Sequence, residues 1–453
     1  MRRCPYHARF IAIFREPRLV LLACLLINLL WFIGYAPWHN EQERLLYNPP
    51  NPDTRSYHTV AITLMNYWNR PGELLDELPS QPEVAHAITN RPLGYPLLLA
   101  LVYAIFGVHP IIVIIVQLIL NVIGCWIAMR AMEILVGSRF AVGGGWLYAL
   151  NPLLLEYSCQ ILSEVSFVFL LTLNVWLFAQ LHRQMQVAGV RSGLIGLLGV
   201  VVGLAALVRA SMLYLAVLPF LYFLFERGAW RERVYHMVLY GVGVALIIIP
   251  WLLHNRIYYH TWRLTLSGEI HLLHMVADLE GGNLSLTQAR RPLFEKAFAR
   301  MRQDGLDPYR QPFERGRYYR AIVWEYIQAH PVPVLKRVVQ GVFNFWTTAG
   351  TPRTGATLLK EQGVLSFYFR AYHLIYLLLL GMGIWWMAAR REWWWYLCLF
   401  LLVALYFTLT AGWAGSARYR LQVFPFSLPV VTMGGAQLLW WSGRLFNRGN
   451  GSE

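Results

Sequence analysis

Charge is what this chain has least of. Asp, Glu, Lys and Arg make up 14% of its 453 residues, against about 25% in an ordinary soluble domain. Lysine occurs only at Lys296, Lys336 and Lys360. Hydrophobic residues make up 57% and fall into runs near twenty residues long, which excludes a soluble globular class. Cysteine is scarce too. Cys4, Cys24, Cys125, Cys159 and Cys398 show no C-x-x-C spacing, so neither a disulfide framework nor a thiolate metal site is implied. Also missing are a P-loop, a G-x-G-x-x-G after a strand, and an H-E-x-x-H helix. The formal charge of +15 would suggest nucleic acid in a soluble protein. In a membrane protein it reads as arginine gathered in cytoplasmic loops, and no nucleic-acid partner is expected.

The apolar runs predict an all-α polytopic membrane protein with about ten transmembrane helices, near 19–36, 110–130, 140–155, 165–181, 193–208, 211–225, 237–253, 368–388, 393–410 and 421–441. The third and sixth are short. Arg2, Arg3, Arg9, Arg15 and Arg18 precede the first run, and no small-x-small cleavage site follows, so it reads as an uncleaved signal anchor. Arginine at 130, 139, 183, 191, 231, 233, 390, 391, 444 and 448 then marks alternate loops as internal, with both termini inside. Residues 37–95 become a first external loop with short surface helices. Pro96 to Phe106 is too short to cross and reads as an interfacial helix. Residues 254–366 are far more polar and read as a small external, mainly helical domain. The chain thus divides into a membrane module (1–253), an external domain (254–366) and a second membrane module (367–453). No internal repeat is visible, which tells against a two-fold repeated transporter.

This topology puts the remaining polar residues on one face. Asp53 follows Asn48-Pro-Pro-Asn-Pro and precedes a helix-like segment, so it is either a helix cap or a carboxylate that meets an incoming hydroxyl or amine. Arg91, in Asn90-Arg-Pro-Leu-Gly94-Tyr-Pro96, is either a snorkelling side chain with Tyr95 as a belt aromatic or a bidentate phosphate ligand. Gly94 permits close backbone approach. Glu164 opens a span, where the helix dipole favours it but membrane depth makes an acid costly and a functional candidate. Arg209 stands between two apolar runs. Arg418 and Arg420 flank Tyr419 in the last external loop, and several arginines on one face suit a phosphate at headgroup level. His254, His260, His271 and His274 cluster in the polar domain without metal-ligand patterning.

Taken in order, these residues resemble a known family. The acid after the first span is followed by Arg91-Pro-Leu-Gly-Tyr-Pro-Leu-Leu-Leu-Ala-Leu-Val-Tyr-Ala-Ile-Phe-Gly107. Then come Asn151-Pro152 with Leu162-Ser163-Glu164, the run Gly203-Leu-Ala-Ala-Leu-Val-Arg209, and Arg418-Tyr419-Arg420 with Pro425. Together they are similar to the GT-C superfamily of membrane glycosyltransferases, and within it to the dolichyl-phosphate-mannose–protein mannosyltransferase and aminoarabinose transferase group. The first seven spans carry most of the likeness.

The resemblance implies an inverting transfer of a sugar from a polyprenyl-phosphate donor to a glycan, lipid or protein acceptor on the external, periplasmic face of a bacterial inner membrane. It implies Asp53 as the catalytic acid of the first loop, acting as base or orienting the acceptor, with Glu164 as a second carboxylate facing the site. Arg91, Arg209, Arg418 and Arg420 would hold the donor phosphate, with Arg55, Tyr57, Tyr95 and Tyr419 in support. Where the protein mannosyltransferases carry an acidic pair, this chain has Asp53-Thr54. A single acid is a poor divalent-metal site by itself, so no cofactor is called for and a metal remains open. The competing class is a transporter or flippase for a lipid-linked or anionic substrate, which would place charges at mid-span.

Overall fold

The structure is a computed structural model that describes residues 16–35, 53–68, 70–77, 80–187, 192–226, 228–281, 286–350 and 362–449. The proline-rich approach at 48–52 and the arginines at 2, 3, 9, 15 and 191 lie outside the described residues. Among the described residues every regular element is helical. In chain order these are α1 (Pro17–Tyr35), α2 (Asp53–Tyr67), α3 (Pro71–Glu77), α4 (Pro82–Asn90), α5 (Gly94–Phe106), α6 (Pro110–Leu135), α7 (Ser138–Ala149), α8 (Pro152–Ser158), α9 (Glu164–Val187) and α10 (Ser192–Val208). They continue with α11 (Met212–Leu215), α12 (Val217–Phe225), α13 (Trp230–Tyr259), α14 (Ser267–Gly281), α15 (Leu286–Gln303), α16 (Arg315–Ala329), α17 (Pro331–Thr347), α18 (Gln362–Ala388), α19 (Trp394–Ala411) and α20 (Phe424–Gly449).

Six of these helices are long and apolar enough to cross a membrane: α1, α6, α9, α13, α18 and α19. The ten expected spans are therefore not all matched by a single long helix. The expected third span is α7, with 12 residues, or about 18 Å at 1.5 Å per residue. Asn151 ends it by capping a new helix: its side chain accepts from the amides of Leu153 and Leu154, and Pro152 suits the first helical position. The expected sixth span divides into α11 and α12. In α10, 17 residues reach only about 25 Å of a ~30 Å hydrocarbon layer.

The bundle turns apolar side chains outward. Leu246, Val238 and Ile257 on α13 are each more than half exposed, as is Leu30 on α1, which is the surface a hydrocarbon solvent leaves uncovered. Lipid gives no hydrophobic drive between helices, so small residues set the closest contacts. A Cβ on Gly199 of α10 would fall 2.3 Å from the carbonyl of Tyr240, and one on Gly243 of α13 would fall 2.4 Å from that of Gly196. These two glycines bring α10 and α13 into backbone contact.

A separate hydrophobic core lies in α14–α16. It holds Ile270, Leu273, Val276, Leu293, Met301, Tyr319 and Ile322. This layer is tied to α4 through the carbonyl of Thr89, which accepts from the Leu266 amide at 2.7 Å and from the Thr265 hydroxyl at 2.7 Å. The tie sets α14 beside the start of α2 and the 91–94 turn.

Candidate active site

Asp53 is the first residue of α2. Helical spacing puts positions i, i+3 and i+4 on one face, so Asp53, Ser56 and Tyr57 point the same way. Arg91 meets all three. Its Nη2 donates to Asp53 Oδ1 at 2.6 Å, its Nε donates to Ser56 Oγ at 3.1 Å, and its guanidinium lies 4.6 Å from the centre of the Tyr57 ring. Arg55 falls on the opposite face, where it pairs with Glu83 at 3.0 Å in solvent.

Arg91 is held near Arg209 by a close backbone crossing. A Cβ on Gly94 would lie 2.7 Å from Leu207 C and Val208 N, so only glycine lets the start of α5 touch the end of α10. Arg209 follows α10 directly. It donates to Glu164 and, at 3.3 Å, to Ser163 Oγ. Ser163 Oγ also sits 3.0 Å from the Tyr57 hydroxyl.

Arg418 joins the two halves. It lies in the 3-10 turn Ala417–Gln422 that leads into α20, capped by Ser416. Its Nη1 donates to Asp53 Oδ2 at 2.7 Å and its Nε donates to Glu164. One guanidinium therefore bridges carboxylates that are 111 positions apart in the chain. Burial alone would raise the Asp53 carboxyl, but Arg91 and Arg418 outweigh it and hold the group far below the usual carboxylate range. Burial would lower Arg418, and Glu164 and Asp53 instead hold it well above its ordinary value.

Asp53, Tyr57, Arg91, Arg209, Arg418 and Tyr419 all line one cavity of about 1540 Å³, counted with its open mouth. Its far wall comes from α14, with Ser267, Glu269 and His271. Arg418 also borders a second cavity, of about 1130 Å³, with Tyr157, Arg370 and His373.

Four expected site residues are placed elsewhere. Glu164, expected to face the site, is 2% exposed and stands behind Arg209 and Arg418; its Oε2 is buried with no hydrogen-bond partner among the described residues. Arg420 turns away from its neighbour Arg418 and donates to the carbonyls of Phe345 at 2.8 Å and Thr348 at 2.9 Å, which pins the last loop to the end of α17. Burial brings it down to about 10. Tyr95 backs the site from below: its hydroxyl donates to Gln117 at 2.6 Å and its ring meets Tyr57 edge-on at 4.9 Å. Arg55 is at the surface, as described. Two contributors carried no assigned role in the sequence, Ser56 and Ser163: the second appears only within Leu162-Ser163-Glu164, and the i, i+3 spacing from Asp53 was a visible signal for the first. No group of three or more His, Cys, Asp or Glu able to hold a metal occurs among the described residues.

The segment that carries Arg91, Glu164 and Arg209 is also the one that matches a known family. Residues 90–254 match the family model described as dolichyl-phosphate-mannose-protein mannosyltransferase. Comparison with curated protein sequences gives no match. Among solved structures, the archaeal oligosaccharyltransferase AglB from Archaeoglobus fulgidus, in complex with an inhibitory peptide and a dolichol-phosphate, aligns over 96% of this chain with a TM-score of 0.54 and 16% identity. Its apo form aligns over 95% of the chain at 0.52 and 16% identity. The match takes in 52% of each of those chains, so this protein spans about half the length of the archaeal enzymes it resembles. ArnT from Cupriavidus metallidurans bound to undecaprenyl phosphate aligns over 92% of this chain and 77% of its own, with 14% identity and a TM-score of only 0.38. The chain resembles the GT-C glycosyltransferases: in sequence over the matched segment, and in fold through the archaeal structures.

Proposed function

We propose that this protein is an inverting glycosyltransferase that moves a sugar from a polyprenyl-phosphate donor to an acceptor in the Asp53 cavity. The observation that carries the reading is the double clamp of Arg418 on Asp53 and Glu164, with Arg91 and Arg209 completing the array. Three guanidiniums held in fixed directions suit a phosphate leaving group, whose charge grows as the glycosidic bond breaks. Fixed cations cost no reorganisation at that moment, and partial burial strengthens them.

In this reading Glu164 is a positioning residue that aims Arg209 and Arg418. Asp53, which lines the cavity, holds Arg91 and Arg418 and orients the acceptor. The apolar outer surface of the bundle accommodates the lipid tail, and the loop carrying Asp53 faces the periplasm of a bacterial inner membrane with both termini cytoplasmic. A lipid carrier suits that face because it brings an already activated sugar. The family match and the archaeal fold support this class of chemistry; the acceptor belongs to the wall contributed by α14.

The test uses the full chain in nanodiscs and undecaprenyl phosphate as the probe. Wild type is expected to bind it saturably and to retain a copurified polyprenyl phosphate detectable by mass spectrometry. Arg418→Gln is expected to weaken binding at least tenfold. Equal affinity in wild type and Arg418→Gln would remove the phosphate from this array.

A further inference from the structure

Both carboxylates of the cluster are committed to arginine. Asp53 accepts from Arg91 and Arg418 through separate oxygens. Glu164 accepts from Arg209 and Arg418, and is not on the cavity wall. A carboxylate held this firmly in its ionised form is a weak proton acceptor, because an efficient base has a pKa near the working pH. The cavity contains one imidazole, that of His271.

His271 lies on the first turn and a half of α14. Its Nδ1 is 2.5 Å from the carbonyl oxygen of Ser267. A carbonyl only accepts, so Nδ1 carries the hydrogen and Nε2 keeps its lone pair. No partner for Nε2 exists among the described residues. The backbone of α14 thus fixes both the tautomer and the orientation of the ring, as a third group does for the base in other nucleophile–base pairs.

We propose that His271 Nε2 is the base that takes the proton from the acceptor hydroxyl during sugar transfer. The inference rests on the glycosyltransferase reading of the cavity. The acceptor oxygen forms a bond to the anomeric carbon through its lone pair. The bond from that carbon to the donor phosphate oxygen breaks, and its electron pair leaves on the phosphate, facing Arg91, Arg209 and Arg418. The hydroxyl proton passes to Nε2, giving an imidazolium that returns the proton to water. Asp53 aligns the hydroxyl and steadies the imidazolium.

The ionisation of the ring fits this task. Burial lowers its pKa from the ordinary 6.5, opposed by the bond to Ser267; Arg91 lowers it further, Asp53 raises it, and Arg418 lowers it. His274, on the same helix with ring centroids 6.3 Å apart, is a further titratable group beside it, and Glu269, Arg209, Tyr57 and Tyr419 share its cavity. His271 is therefore neutral and able to accept a proton at pH 7.

The experiment uses the full chain in nanodiscs with dolichyl-phosphate mannose as donor probe, following release of mannose to water or to an added glycoside. Undecaprenyl phosphate binding is measured on the same samples. His271→Gln is expected to lower the rate at saturating donor by about 10²–10⁴-fold while lipid affinity stays within about twofold. The wild-type rate is expected to fall on the acid side below pH 6.5, and this limb is expected to vanish in His271→Gln. His274→Gln, which is off the cavity wall, serves as the packing control and is expected to retain both rate and limb. A His271→Gln rate within threefold of wild type, with the acid limb intact, would overturn the proposal while leaving the phosphate site standing. Loss of undecaprenyl phosphate binding by wild type would instead remove the glycosyltransferase reading, and His271 with it.

Discussion

Two groups of arginine–carboxylate pairs in this molecule differ in kind. In the helical layer α14–α17 the outermost pairs lie in water. Arg291 and Glu295 are 78% and 61% exposed, and Arg300 and Glu325 are 33% and 49% exposed. At the polar end of the bundle the pairs are largely covered. Arg91 and Arg418 are each 11% exposed, Arg209 14% and Glu164 2%. Exposed pairs contribute little, about 0–1 kcal/mol. Covered ones carry a desolvation cost that apolar residues would avoid. A chain with so few charges has nonetheless gathered five of them in one largely covered cluster, in which Asp53 is the most open at 30% exposed. Stability alone does not account for that placement, which fits the proposed phosphate-binding task.

The sharpest way to break this contrast is Asp53→Asn. It keeps the shape but removes one charge opposite Arg91 and Arg418. Sugar transfer from dolichyl-phosphate mannose is expected to drop by about 10²-fold through loss of acceptor orientation with the chain still folded by circular dichroism. Transfer near the wild-type rate would return Asp53 to the role of a helix-starting acid. Next comes Arg418→Gln, which leaves two carboxylates without their shared partner. Removing one member of a buried ion pair costs about 3–5 kcal/mol, so a fall in Tm of the nanodisc-embedded protein is expected beside the loss of lipid binding.

Two intermediate substitutions separate geometry from charge. Gly94→Ala adds a Cβ against the backbone at Leu207 and Val208. It is expected to cost about 1–3 kcal/mol and to weaken undecaprenyl phosphate binding, although no charge changes. Arg420→Gln leaves the carbonyls of Phe345 and Thr348 with a poorer donor. About 1–3 kcal/mol of stability is expected to go, with lipid affinity per folded molecule retained. Arg418 and Arg420 are two positions apart, so opposite outcomes in the binding assay would sharpen the comparison most. The smallest effect belongs to Arg291→Ala, where an exposed i, i+4 pair is expected to matter by about 0.3–0.5 kcal/mol and a thermal melt is expected to be almost unchanged.

Much of the site was legible from residue order. Asp53, Arg91, Arg209 and Arg418 lie in the polar segments between apolar runs that the expected topology gathers on one side. The structure adds the contacts: Asp53 meets Arg91 and Arg418, and Glu164 joins Arg418 to Arg209. The finer roles were less legible. Arg418 and Arg420 look equivalent in a loop, and only the 3-10 turn sends one to the acids and the other to the end of α17. Glu164 opens an apolar helix and reads as facing the site, yet Arg209 and Arg418 stand between it and the cavity. Arg55 follows Asp53 closely, but helical periodicity turns it outward toward Glu83. The expected spans at 140–155 and 211–225 had the right composition. Asn151 and the break between α11 and α12 stop them short, because hydropathy averages over caps and breaks that hydrogen bonding decides.

Composition and residue order set the solvent and the chemical vocabulary of this protein. Apolar runs near twenty residues long commit it to lipid, and the scarcity of charge means that each remaining acid or arginine has a position to answer for. The tertiary structure decided which of those charges meet. A glycine at 94 lets two helix ends touch, a 3-10 turn aims one arginine of two, and a backbone carbonyl at Ser267 sets the ring of His271. Each is a contact between segments far apart in the chain or a local backbone choice, and neither is written in composition or periodicity.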